Sequence, residues 1–228
     1  MSTKLLHAYL INNNINTIIV TDNPSDHIYY SDEELILQNF NNITLHTEKH
    51  PTAWDKAFYH IYKNNLKYDY YYFIEDDVSC VNLQIFLKLF QTLVNYNNDL
   101  IATQIKSQIE DPFWDNWYIK NLFNRAYKGV DDKILYRSFN PFCRISNKLI
   151  NKIFEFYDEY HRLYFHEIMI PTLCVKNKLT YIDFKKNKEL KQFFGPFNYV
   201  GPELKFLTKN YFYNKISHPR YVGEKWRR

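Results

Sequence analysis

Apolar and polar residues change period repeatedly along the chain, and each change marks an expected element. Lys4 to Ile11 reads as a short amphipathic helix. Ile15 to Thr21 is β-branched and predicts a strand, closed by the turn residues Asp22, Asn23 and Pro24. Ser31 or Asp32 can cap a helix over Glu33 to Phe40, and Ile43 to His46 gives a second, short strand. Thr52 opens a helix on which Trp54, Ala57, Phe58, Ile61 and Tyr62 fall at helical spacing. That helix leads into an aromatic strand at 70 to 74. A helix over Leu83 to Val94 and a strand over Asp99 to Gln104 follow. Residues 106 to 133 show little periodicity, and so long a loop inside a compact domain is more often functional than accidental. Ile134 to Phe142 predicts a strand. Ser146 caps a helix over Leu149 to Tyr160, and His166-Glu167 opens another that runs to about Val175. Leu179 to Asp183 reads as a last strand.

Strands alternating with helices through the first ~100 residues indicate βαβ units and a parallel sheet. The later part is less regular, as in a sheet extended by antiparallel strands. With no internal repeat and no linker, the expectation is one α/β domain over 1–228. It has a mostly parallel central sheet flanked by helices, a nucleotide-type half through residue 105, and a second half from 106 that ends in a basic, aromatic stretch.

The strand at 70 to 74 breaks abruptly into Glu75, Asp76 and Asp77. A sheet core does not tolerate three unpaired acids, so the strand must end there and open onto a polar site. Ligands of open α/β sheets bind at the carboxyl ends of strands. Acids placed there suit a divalent cation held against phosphate oxygens. In extended chain Glu75 and Asp77 point to one side, ~7 Å apart, and Asp76 to the other. An acidic strand end facing solvent would read the same way.

Composition narrows the classes. The net charge of +4 does not by itself imply nucleic acid. Most of the excess lies late, from Lys185 to Lys191 and from Lys215 to Arg228, where it reads as a solvated face or as a contact for a phosphate-bearing substrate. Abundant Lys, Asn, Ile, Tyr and Phe suggest an A/T-rich coding genome, as in large DNA viruses or protists. Cys80, Cys143 and Cys174 form no CxxC pair, which argues against a zinc site or a disulfide framework and for a reducing compartment. No run approaches the ~18 apolar residues of a membrane span, and the N-terminus lacks the order of a signal peptide. The expectation is a soluble, cytoplasmic protein.

The residues Tyr72-Phe73-Ile74-Glu75-Asp76-Asp77-Val78 resemble the acidic DXD-type motif of GT-A-fold nucleotide-sugar glycosyltransferases. Ile18 to Asn23 resembles that family's early strand and turn near the nucleotide base. Ala53 to Ala57 heads the helix before the acidic motif, His166-Glu167 sits where an acceptor-side carboxylate is often found, and His218-Pro219 lies where several members supply a histidine to the metal. The resemblance implies a GT-A-like (Rossmann-like) domain that lacks its first strand, since no apolar strand precedes Lys4. It also implies roles. Asp77 and His218 would bind Mn²⁺ or Mg²⁺ against the diphosphate of a UDP- or GDP-sugar. Glu75 or Asp76 would hold the ribose or the sugar, with Asp22, Asn23 and Lys56 on the donor. Glu167 would be the general base, with His166 as substitute. Trp114, Asp115 and Trp117 would meet a glycan, protein or small-molecule acceptor.

Each residue also has a plainer reading. Glu167 can be a helix-start acid stabilised by the dipole, and His166 a cap. Trp54 reads as core. Trp114 and Trp117 can pack on the sheet, and Arg144 can be an ion-pair partner or a phosphate contact. Two other functions use the same residues: a metal-dependent nucleotidyltransferase or nuclease, and a non-catalytic protein whose basic, aromatic end binds single-stranded nucleic acid. No RNP-like, zinc-knuckle or helix-turn-helix signature supports the last, so no nucleic-acid partner is expected. There is no Gly-rich phosphate loop, GxSxG or HExxH.

Overall fold

The computed structural model describes residues 3–20, 53–76, 78, 80, 82–114, 135–161, 163–195 and 215–216. In chain order the elements are α1 (Thr3–Asn12), α2 (Ala53–Lys63), β1 (Tyr70–Ile74), α3 (Gln84–Leu93), β2 (Leu100–Ser107), β3 (Tyr136–Ser146), α4 (Asn147–Tyr160), α5 (His166–Lys176) and β4 (Tyr181–Asp183), then a 3₁₀ turn over Leu190–Phe193. Every expected element within the described residues is present except the strand expected over 15–21, of which residues 15–20 are described. Residues 15–19 join no ladder and Val20 makes a single bridge. β-branched composition expresses a preference, but a strand exists only by pairing. The helix expected over 33–40 and the strand expected over 43–46 lie outside the described residues.

The four strands lie in the order β1-β3-β2-β4. β1 pairs antiparallel with β3, from Tyr70↔Ser146 to Ile74↔Phe142. β2 is antiparallel to β3 on its other side and parallel to β4. Three strands therefore share a direction, while the longest runs against them from the middle of the sheet. The expectation of a mostly parallel sheet is thus corrected among the described residues: the sheet is mixed, and its antiparallel strand is inserted rather than added at the edge. Parallel neighbours need a crossover, usually helical. The sequence between β2 and β3 has little helical periodicity, and the two pair antiparallel.

β3 is irregular where it holds Pro141. Its register against β2 shifts on both sides of Thr103, and Gln104 takes a positive φ of 54°. Proline donates no ladder hydrogen bond, so a bulge here is expected.

Helices cover both faces. Tyr71, Leu100, Ala102, Cys143 and Ile145 pack with residues of α2, α4 and α5. Ile101 and Phe142 pack with α1, α3, Phe184 and the 3₁₀ turn. Phe58, Phe86, Phe142 and Phe184 are fully buried, each stabilising the fold by about 2–3 kcal/mol. Ser146 caps α4 as expected, its hydroxyl accepting from the Leu149 N–H at 3.2 Å.

Candidate active site at the carboxyl edge

The acidic motif emerges where β1 stops. The Glu75 N–H donates to the Pro141 carbonyl at 2.8 Å, which carries the β1–β3 register one residue past the strand. The Val78 N–H then donates to the Glu75 carbonyl at 3.1 Å, and the chain turns away. Glu75 is half-buried and Asp76 exposed. Asp77 lies outside the described residues.

Glu75 is held from the side by α2. The Trp54 indole N–H donates to Glu75 Oε1 at 3.1 Å. The indole is buried, and it stacks on Phe73 (centroids 4.9 Å apart, 9° between planes) and on His166 (4.1 Å, 12°). Trp54 is therefore core, as its place on the helical stripe suggests, and also a direct partner of the acidic motif. A buried indole N–H normally finds an acceptor, and that requirement is the sequence signal that points beyond a purely apolar role.

His166 and Glu167 open α5 and are both buried. His166 is not the cap: Phe165 occupies that position and makes no side-chain cap hydrogen bond. A helix-start acid that merely answers the dipole would sit in solvent, whereas Glu167 is 6% exposed. Pro171 lies inside α5 and has no N–H to offer the Glu167 carbonyl four residues before it.

The start of the long loop reaches the same neighbourhood. Trp114 stacks near Phe165 (6.4 Å, 20°), and the Arg137 guanidinium lies 5.1 Å over its ring. Arg137 Nε donates to Asp111 Oδ2 at 2.8 Å and its NH1 to Gln104 Oε1 at 3.0 Å, while a second guanidinium nitrogen also pairs with Asp111. Burial pushes the Asp111 carboxyl up, but Arg137, and then Lys106, overcome this and hold it below its ordinary value. Rings thus run without a break from Phe73 through Trp54, His166 and Phe165 to Trp114, with Phe165 and His166 5.1 Å apart. Asp115 and Trp117 lie outside the described residues.

A small cleft of about 90 Å³, open to solvent, lies between α1 and β1. Thr17, Ile18 and Ile19 line it from one side and Tyr72, Ile74, Glu75 and Asp76 from the other, with His7 beside Thr17. The segment that leads to Asp22 and Asn23 is thus brought against the acidic motif, although those two residues lie outside the described residues. Lys56 is fully buried on α2 and does not line this cleft.

Arg144 is a structural residue rather than a phosphate contact. Its NH1 donates to the Leu93 carbonyl at 2.6 Å and its NH2 to the carbonyls of Tyr96 (2.6 Å) and Asn98 (3.1 Å), with its guanidinium 4.0 Å over Tyr70. Its partners are backbone carbonyls and a ring, not the acid of an ion pair. Three polar side chains not foreseen from sequence are fully buried near the carboxyl edge: Thr103, Ser138 and Asn140. Their polar atoms have no hydrogen-bond partner. Asn140 would face Asp76 if the β1–β3 register ran one step further. The available signal was two polar residues, Ser138 and Asn140, at alternate positions of a strand, flanking Phe139.

Among the described residues no group of three or more His, Cys, Asp or Glu side chains is placed to hold a metal. Asp77 and His218, the expected ligands, lie outside them. Glu75 and Asp76 are hard oxygen donors at the cleft wall, and that chemistry fits Mg²⁺ or Mn²⁺. The three cysteines are free and buried. Burial raises the Cys143 thiol, and the Glu75 charge raises it further, while burial pushes Cys80 up to about 11. No helix among the described residues is long and apolar enough to cross a membrane. No protein-family description, curated protein or solved structure matches this chain.

Proposed function

We propose that the protein is a metal-dependent glycosyltransferase of GT-A-like fold that moves a sugar from a nucleotide-diphosphate donor to an acceptor hydroxyl. One observation carries the reading. Glu75, from the acidic motif, and His166, which adjoins Glu167, come from distant parts of the chain and both contact Trp54, one at the indole N–H and the other on the ring face, at the carboxyl edge of the sheet. Ligands of open α/β sheets bind at that edge.

In this reading the cleft between residues 17–19 and the end of β1 takes the nucleoside. Glu75 accepts from a ribose or sugar hydroxyl. Asp77 and His218 would hold a divalent cation. When bound, the cation supplies Lewis-acid neutralisation of the charge on the leaving diphosphate. Glu167 accepts the proton of the acceptor hydroxyl as its oxygen bonds to the anomeric carbon. The bond from that carbon to the diphosphate oxygen breaks, and its electron pair leaves with the nucleoside diphosphate. Direct attack of this kind inverts the anomeric centre. Trp114, placed beside Phe165, stands at the start of the loop that receives the acceptor.

The test is incubation with Mn²⁺ and a panel of UDP- and GDP-sugars, reading nucleoside diphosphate release for wild type, Asp77→Ala and Glu167→Gln. The proposal expects release by wild type and loss in both variants. Release of pyrophosphate, or cleavage of nucleic acid, would replace it with the nucleotidyltransferase or nuclease reading built on the same acids.

A further inference from the structure

We infer that Trp54 is the positioning residue of this site, a joint that fixes the Glu75 carboxylate and the His166 ring relative to one another; this rests on the glycosyltransferase reading. The indole has one polar atom, a donor only, and it is committed to Glu75 Oε1 at 3.1 Å. Its ring meets His166 at 4.1 Å and 12°, and Phe73 at 4.9 Å and 9°. The start of α2, the end of β1 and the start of α5 therefore converge on one side chain.

Two consequences follow from chemistry. The bond to Oε1 fixes how the Glu75 carboxylate sits at the cleft it lines. A ring stacked almost parallel to the indole has its plane set by that stack, which fixes the direction in which the His166 nitrogens point. Trp54 does not line the cleft. It acts through Glu75 and His166, as residues behind metal-ligating side chains do, and changing such residues usually costs about 10- to 100-fold in metal affinity or activity.

Two variants separate the contacts. Trp54→Phe keeps a stacking ring and removes the donor; Trp54→Leu removes both. At one fixed pH, NMR reads the Glu75 side-chain carboxyl carbon and the ring protons of His166, which lie in the indole ring current. Titration with Mn²⁺ plus UDP or GDP reads affinity at a temperature where all three proteins are folded. Trp54→Phe is expected to shift the Glu75 signal, leave His166 upfield, and weaken binding about tenfold. Trp54→Leu is expected to move both signals. An unchanged Glu75 signal in Trp54→Phe, or unchanged affinity despite a normal wild-type titration, would overturn the inference. If wild type binds neither nucleotide, the glycosyltransferase reading falls, while the two NMR signals still decide whether Trp54 is the joint.

Discussion

Where β1 and β2 begin, Asp99 ties three strands together. Its Oδ1 accepts from the Ser146 hydroxyl at 2.8 Å, and its Oδ2 accepts from the Thr180 N–H at 3.0 Å and hydroxyl at 3.2 Å. Arg144, close by, answers the carbonyls that follow α3. Where the same strands finish, the chain buries Thr103, Ser138 and Asn140 without partners, half-buries a carboxylate, and buries a histidine and a glutamate side by side. One end of the sheet is a structural clamp in which both Asp99 oxygens and two of the three Arg144 nitrogens are answered, with Arg144 Nε the exception. The other carries polar groups beyond what folding requires. Each unsatisfied buried group costs about 1–3 kcal/mol, and such costs are commonly retained where a protein acts.

The comparison breaks first at Asp99. Asp99→Ala strands Ser146 and Thr180 together, and urea unfolding should show a loss of about 3 kcal/mol. Nucleotide affinity at a folded temperature should stay unchanged. A smaller effect belongs to Asp111, which anchors the start of the long loop. Asp111→Asn leaves the buried Arg137 guanidinium poorly answered and should cost about 2 kcal/mol, below the range for breaking fully buried pairs because Asp111 is partly solvated. The sign with pH is fixed by its lowered value. Its contribution is present above the ordinary carboxylate range and is lost as pH falls through the depressed folded value. Asp111→Asn should flatten that part of the stability–pH curve, and a curve of unchanged shape would remove Asp111 as its source.

Thr103→Val sharpens the contrast from the other side. It replaces an unpartnered buried hydroxyl with an isosteric methyl, so stability should stay within about 1 kcal/mol of wild type or rise. A loss as large as that of Asp99→Ala would mean the hydroxyl is satisfied, and that the two ends do not differ. The smallest effect concerns the thiols. Burial pushes Cys174 up to about 12, so native protein should react with a thiol reagent only as fast as it opens, and fast modification would show a thiol reaching solvent.

Much of the fold was legible because helix and strand periods differ so plainly in this chain. The strand at 70–74, the cap at Ser146 and the helix start at His166 all stand where the pattern places them. Strand direction was not legible, because period tells which residues face inward but not which edge receives them. Nor was the fate of residues 15–19, since pairing belongs to the neighbour as much as to the segment. At the site, the break from Tyr70–Ile74 into three acids was readable from charge against burial alone. The link from Trp54 to Glu75 was not, because a helical stripe assigns a tryptophan to the core without saying where its N–H goes. Arg144 left two readings open in sequence, and only the carbonyls around it decide between them.

The central claim is that the polar end of the sheet, at the acidic motif, is a site for a nucleoside diphosphate held with a divalent cation. Thermal unfolding with Mn²⁺ plus UDP or GDP, on wild type and Asp77→Ala, tests it most directly. A ligand at about a hundred times its dissociation constant adds about 2.7 kcal/mol, which for a domain of this size is a rise in Tm of roughly 5–10 °C. The account predicts such a rise in wild type, dependent on the metal and absent from Asp77→Ala. No rise with either nucleotide, or an equal rise in Asp77→Ala, would contradict it.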